Sequence, residues 1–123
     1  MVLLLRPIPA RILRSSAQVE VCTGVDLYQR PAYEEYTVHH VHLQPTNRVV
    51  KSPSNTDVQL DSILFVDARR SAPALDWAGL LASAQEAGGD VKVTVQGVER
   101  TVVTVDKLMD DTDRLHHWEV GLA

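Results

Sequence analysis

Five histidines are the side chains best suited to chemistry in this sequence. His39, His40 and His42 fall in one strand-like run, and His116 and His117 fall in another. Side chains alternate along a strand, so His40 and His42 are expected to share a face. A His-x-His strand plus a third histidine from across a sheet would supply nitrogen ligands for zinc. The remaining requirements are not met. Cys22 lies in a different run, and the carboxylates nearby are not at ligand spacing. Neutral imidazoles pack readily in sheets, so we expect no metal and no cofactor. The alternative is a small His-based metal-binding barrel or a metal-dependent enzyme. His116 and His117 alternate, so no more than one is expected to be shielded from solvent, and neither to hold a metal.

Other chemistries find less support. The sequence has no Gly-x-Ser-x-Gly elbow and no phosphate-binding loop. Asp110, Asp111 and Asp113 lack the glycine and distal glutamate of a calcium loop, and read as a solvated turn between strands. Glu34 and Glu35 read as a solvated loop edge. No catalytic residue is assigned, and the chain is read as a non-enzyme.

A chain of 123 residues with 45% hydrophobic content reads as one domain, 1–123. At that length roughly two-thirds of the unfolded surface can be buried, enough for a core without staples. The net charge of −4 argues against a general nucleic-acid binder, which needs a basic patch to displace counterions. Cys22 is the one cysteine, so no internal disulfide forms; a reducing compartment and a buried small hydrophobe are the simple readings. The apolar run 2–5 is too short for a signal-peptide core and is cut off by Arg6 and Pro7. No segment is long enough to span a bilayer, so no membrane association and no export by this route are expected.

The elements that would position these residues are mostly strands. Residues 1–16 read as an arm: Pro7 and Pro9 deny a regular helix, and one short turn fits between Arg11 and Arg14. The arm either covers an edge of its own sheet or docks on a neighbouring subunit. Residues 17–23 alternate as a first strand, and 24–33 are turn-like. Residues 36–43 form a second strand ended by Pro45. There Val38 points opposite to Val41 and Leu43, which predicts a bulge or a barrel bend. Residues 45–57 are polar and rich in turn formers, and read as a long loop that orders on assembly. Residues 58–67 return to strand.

A helix is predicted near 76–87, with Trp77, Leu80, Leu81 and Ala84 on one face, Asp76 as N-cap and Gly88 past its end. Val91, Val93 and Val95 alternate, Gln96-Gly97 makes a tight turn, and strand character resumes from Val98 to Val105. In the last run His116, Trp118, Val120 and Leu122 share one face. We expect Trp118, Val120 and Leu122 to meet Val93 and Val103 or Val105 in the core. The fold class is mainly β: a small antiparallel β-barrel or sandwich of about six strands with one packed helix.

The strands also resemble a known family. Gly89-Asp90-Val91-Lys92-Val93, then Gly97-Val98-Glu99-Arg100-Thr101-Val102-Val103-Thr104-Val105, then Leu115-His116-His117-Trp118-Glu119-Val120-Gly121-Leu122 resemble the minor capsid proteins of tailed bacteriophages and prophages. Ile8-Pro9 with Ile12-Leu13, Val41-His42-Leu43-Gln44-Pro45-Thr46 and Leu64-Phe65-Val66-Asp67 are similar to its earlier stretches. The closing Leu-His-His-Trp-Glu-Val-Gly-Leu run is the most specific part. The resemblance implies a structural virion protein, a minor capsid or head-tail connector component.

By analogy with the small barrels that close phage heads, it implies a ring at the virion neck, assembled in the bacterial cytoplasm, that joins head to tail and helps retain DNA. The implied partners are further copies of the chain, a portal or adaptor protein, tail components and, transiently, packaged DNA. A ring subunit needs an arm and a projecting loop. The candidate contact residues are therefore Arg48, Val49, Val50, Lys51 and Asn55 in the loop, with Arg6, Arg11 and Arg14 in the arm.

Overall fold

Alternating valines build the wall of this molecule. Along Val91-Lys92-Val93-Thr94-Val95 the three valines are buried and the two polar residues half-buried, the pattern of a strand with one face on a core. The computed structural model describes residues 7–52 and 54–123. In chain order the elements are β1 (Ser15–Val25), β2 (Pro31–Pro45), β3 (Val49–Lys51), β4 (Asp57–Gln59), β5 (Ser62–Asp67), α1 (Trp77–Glu86), β6 (Val91–Val95), β7 (Val98–Met109) and β8 (Leu115–Leu122). Six strands close into a barrel in the order β1-β2-β5-β8-β7-β6, and β3 and β4 form a separate two-stranded sheet. Neighbours in the barrel run antiparallel throughout. The architecture is therefore the barrel rather than the sandwich.

The interior is filled by side chains, as expected for a barrel this narrow. Val19, Val93 and Val120 are wholly buried, and Trp118 and Leu122 join them. The expected inward face of β8 is thus confirmed. On β7 the choice between Val103 and Val105 falls to Val105. The inward residues are Val102, which is buried, and Val105, which packs against the core; Val103 belongs to neither set. A register shift lies between Val102 and Thr104, so Val103 is the extra residue of a bulge. Opposite it stands Gly121, where a Cβ would lie 2.3 Å from Thr104 Oγ1 and 2.9 Å from Leu60 Cδ1. Only a residue without a side chain fits against the bulged strand there.

The bulge anticipated in β2 is present. Val38 and Val41 are both wholly buried although three residues apart. Between them His40 adopts φ +61°, and the pairing with β1 skips it, from His39↔Ser16 to Val41↔Ser15. The tight turn between β6 and β7 also holds: Gln96 and Gly97 both have positive φ, 51° and 78°, as a two-residue hairpin turn of this hand requires.

Three boundaries differ from the sequence reading. β1 begins at Ser15 and β2 runs from Pro31 to Pro45, so the arm is shorter and the second strand longer. Residues 58–67 are two strands, not one, because Leu60 N donates to Arg48 O and Asp61 N to Leu122 O, which turns the chain between them. Residues 45–57 are not a loop throughout: β3 and β4 pair at Val49↔Gln59, Val50↔Val58 and Lys51↔Asp57.

α1 lies where it was predicted. The Asp76 carboxylate accepts from Gly79 N at 3.2 Å, and Gly88 with φ +88° follows the C-terminus. Trp77 and Ala84 are buried, and the helix packs on β1, β6 and β7. β5 leaves the barrel at the end where β6 enters it, so α1 bridges two non-adjacent strands at that end.

The acidic turn between β7 and β8 is not simply solvated. Asp110 is buried, and its Oδ1 accepts from Thr112 N, Thr112 Oγ1 and Arg114 N at 2.8, 2.7 and 3.1 Å. The bond from the Thr112 hydroxyl, then that from the Thr112 amide, hold this carboxyl below its usual range against the opposing effect of burial.

Two measurements check this account. Trp118→Ala should destabilise the fold by roughly 3–5 kcal/mol in urea unfolding; a loss near zero would put the indole outside the core. Asp110 contributes stability that is complete above the unfolded carboxylate value of about 3.9 and is lost as the pH falls through its lower folded value. Asp110→Asn keeps an acceptor but cannot titrate, so its stability should decline less steeply in acid than the parent's. An unchanged acid limb would remove the carboxylate from the account.

Candidate functional site

Closing the barrel pairs both edges of every wall strand over part of its length, so contacts with other molecules fall to what is appended to it. Three appendages stand out. The first is the β3–β4 hairpin, which leaves the end of β2 and returns to the start of β5. Lys51 Nζ and Asp57 Oδ1 pair across it at 2.7 Å, both largely exposed, a contact worth about 0.2–1 kcal/mol. Its turn is closed by Ser52 N to Thr56 O and Asn55 N to Ser52 O, each 2.8 Å, with Asn55 at φ +63°. Val50 and Val58 face each other half-buried, whereas Val49 is 60% exposed. At the hairpin's base the Arg100 guanidinium bonds Asp61, and this bond, followed by one from the Ser62 hydroxyl, lowers the Asp61 carboxyl below its usual range.

The predicted contact residues therefore gather in part. Arg48, Val49, Val50, Lys51 and Asn55 belong to the hairpin or its root. Arg11 and Arg14 border a shallow depression with Ser15, Leu43 and Gln96. By register, Ser15, the Gln96 turn and the hairpin root share one end of the barrel. Arg14 Nε donates to Arg11 O at 2.6 Å, closing the short turn expected between them. Arg6 lies outside the described residues.

The second appendage is the N-terminal segment, which lies along the outside of its own barrel. Asp67, buried at the end of β5, is its anchor. Asp67 Oδ1 accepts from Ile8 N at 2.8 Å, and Oδ2 accepts from Arg69 N and Arg70 N at 2.9 Å each. Asp67 N donates to Ser71 Oγ, which in turn donates to the carbonyl of bulged His40. Leu13 is buried beneath this segment. Residues 7–14 lie on the outer face of the chain's own sheet, not over an open edge as the arm was expected to. Sequence reasoning did not single out Asp67; its signal was an aspartate ending an apolar run just before Ala68-Arg69-Arg70-Ser71.

Between segment and wall is an apolar cleft of about 370 Å³, bordered by Ile8, Pro9 and Ile12 and floored by His42, Phe65 and His117. The rings of His42 and His117 stand 5.8 and 6.0 Å from that of Phe65. His117 Nε2 and Glu119 Oε2 are hydrogen-bonded at 3.0 Å, and His116 Nδ1 and His117 Nδ1 at 2.8 Å. Both histidines are half-buried. The other two histidines have different neighbours. His39 Nδ1 and Ser16 Oγ are hydrogen-bonded at 3.1 Å, and His40 lies against Ala10, Leu13 and Arg70. His40 and His42 both border the N-terminal segment, at separate depressions. Among the described residues no three His, Cys, Asp or Glu side chains gather as a metal cluster.

The third appendage was missed. Residues 24–33 read as a turn, yet β1 and β2 stay paired out to Gly24↔Ala32 and Val25↔Pro31. β6 flanks β1 only as far as Val21, and β5 flanks β2 only from Val41 on. The tip is thus a two-stranded ribbon with no strand on either side, reaching roughly 13 Å beyond Thr23. Its turn is organised by Asp26. Oδ1 accepts from Tyr28 N and Arg30 N at 2.8 and 2.9 Å, and Oδ2 pairs with Arg30 Nε at 3.0 Å. The available signal was Asp26-Leu27-Tyr28-Gln29-Arg30, two large apolar residues inside an Asx turn.

A family model described as "Minor capsid protein" matches residues 9–122. No curated protein and no solved structure matches.

The anchor gives the prediction. Asp67→Ala leaves the amides of Ile8, Arg69 and Arg70 without their acceptor and should cost roughly 2–3 kcal/mol. Tryptic cleavage after Arg11 and Arg14 should quicken in the same variant. Unchanged unfolding with unchanged cleavage would mean that apolar contacts alone hold the segment.

Proposed function

The chain belongs to the minor capsid protein family, and from that premise we propose that it is a structural protein of the phage virion that forms a ring at the neck, joining head to tail. The observation that carries this reading is the placement of the appendages. The β3–β4 hairpin projects from one end of a closed barrel and the β1–β2 ribbon from the other. A ring subunit must touch assemblies above and below and its own copies alongside, and needs contact elements that project beyond a rigid body. The barrel supplies the rigidity, because its six strands are joined in a closed ring of antiparallel pairs.

In this reading a portal or adaptor protein meets one end and tail components the other, with further copies of the chain alongside. Arg11, Arg14, Arg48 and Lys51 give the hairpin end cationic groups in a chain of net charge −4. Such groups suit acidic partners or the phosphates of packaged DNA, while the negative total keeps DNA from adhering along its path. The role is structural rather than catalytic. It places the protein in the virion neck, after assembly in the bacterial cytoplasm. Among the described residues no helix is long and apolar enough to cross a membrane.

The test is made in particles. Electron cryomicroscopy of virions carrying a labelled copy should show it as a ring between portal and tail. A Val49→Asp, Lys51→Glu double variant should leave heads that do not join tails or that leak DNA. Its unfolding free energy should fall by no more than about 2 kcal/mol, from the lost Lys51–Asp57 pair and the like charge set opposite Asp57, with the barrel still folded. Label spread over the capsid shell, or normal particles from the double variant, would overturn the reading.

A further inference from the structure

The tip of the β1–β2 ribbon carries the most exposed large apolar side chains described: Leu27 is 97% and Tyr28 77% exposed. They are held out rather than left loose. Asp26 ties down the amides of Tyr28 and Arg30, Gln29 takes φ +62° to close the turn, and Asp26 N donates to Arg30 O at 3.0 Å. The Arg30 guanidinium lies 5.0 Å from the centre of the Tyr28 ring. A tyrosine and an arginine on a preorganised support have the composition and the low ordering cost of an interface anchor, and the leucine beside them adds apolar surface to bury.

We propose that this tip docks head-to-tail into the apolar cleft of a second copy of the chain, and that finger and cleft together form the lateral contact of the ring. The proposal rests on the ring reading above. The cleft has the complementary character. It holds about 370 Å³, it is walled by Ile8, Pro9 and Ile12, and Phe65 lies across its floor between His42 and His117. That volume is in the range that admits side chains of this size. Glu119, bonded to His117 beside the cleft, offers Arg30 a carboxylate.

The finger cannot fill the cleft of its own subunit. Pro31 at the ribbon's tip and His42 in the cleft are the two ends of an eleven-residue step along β2, roughly 35 Å of strand. Contact must therefore be between copies. A patch that meets a different patch on the next copy is heterologous, and such contacts close into rings when the rotation permits.

Cysteine trapping tests the contact in particles. One copy carries Tyr28→Cys and the other Gln44→Cys, an exposed position at the cleft; the native Cys22 is buried and serves as the background control. On oxidation, virions assembled from the mixture should yield disulfide-linked pairs of the two variants. Adding Leu27→Asp to the first chain should lower that yield by about tenfold, the loss expected when that apolar surface is no longer buried. Circular dichroism should meanwhile be unchanged, because Leu27 is exposed.

If the neck ring is seen and the pairs do not form, the finger-in-cleft contact falls while the ring stands. Cross-linking of the Tyr28→Cys chain to a portal, tail or shell protein would likewise overturn it. If no ring is seen and no pairs form, both readings fall together.

Discussion

Barrel closure is the constraint on which the rest of this structure depends. Six strands must keep an apolar face turned inward while the sheet bends through a full circle. Period-2 alternation alone cannot do this, because the strands must also coil and shear. The chain answers with bulges. In β2 and in β7, inward valines stand three residues apart, Val38 with Val41 and Val102 with Val105. The residue between takes up the phase: His40 by a left-handed backbone, Val103 by a skipped partner. Burying a side chain of this size is worth about 1.5–3 kcal/mol, so a strand that slipped by one residue would forfeit several such terms at once.

Closure also decides where the molecule can be recognised. A closed ring of strands offers less to strand addition than an open sheet, and its outer face is partly covered by residues 7–14. What remains available is appended: a hairpin at one end, a ribbon at the other, and a cleft where the N-terminal segment leaves the wall incompletely filled. That division between a shut body and protruding contacts suits a family of capsid components, whose members must hold shape while touching several neighbours.

Aspartates supply much of the remaining order. Asp26 organises the β1–β2 turn, Asp67 the exit from β5, Asp76 the start of α1 and Asp110 the β7–β8 turn. Each accepts from backbone amides that the strands and helix leave unpaired at a chain reversal. The net negative charge is thus in part a by-product of folding. Asp110, which looks like part of a solvated acidic cluster in the sequence, is like Asp67 a buried structural acceptor.

Local rules were legible in the sequence because covalent geometry enforces them within a few residues. The alternation of β6 and β8, the Gln96-Gly97 turn, the Asp76 cap, Gly88 and the bulge in β2 were all readable there, and the family resemblance rested on the same strands. Only the tertiary structure decided that the sheet closes into a barrel, that β7 turns inward at Val102 rather than Val103, that β3 is a strand at all and that β4 is separate from β5. It also decided that residues 24–33 extend a ribbon. Three-residue strands have no periodicity to detect. β3 and β4 exist because Leu60 and Asp61 bond to Arg48 and Leu122, residues brought to them by the fold. The position of the β7 bulge is likewise set by Gly121 on the opposite strand. Register and bulge phase are properties of two backbones meeting, and a single stretch of sequence carries only one of them.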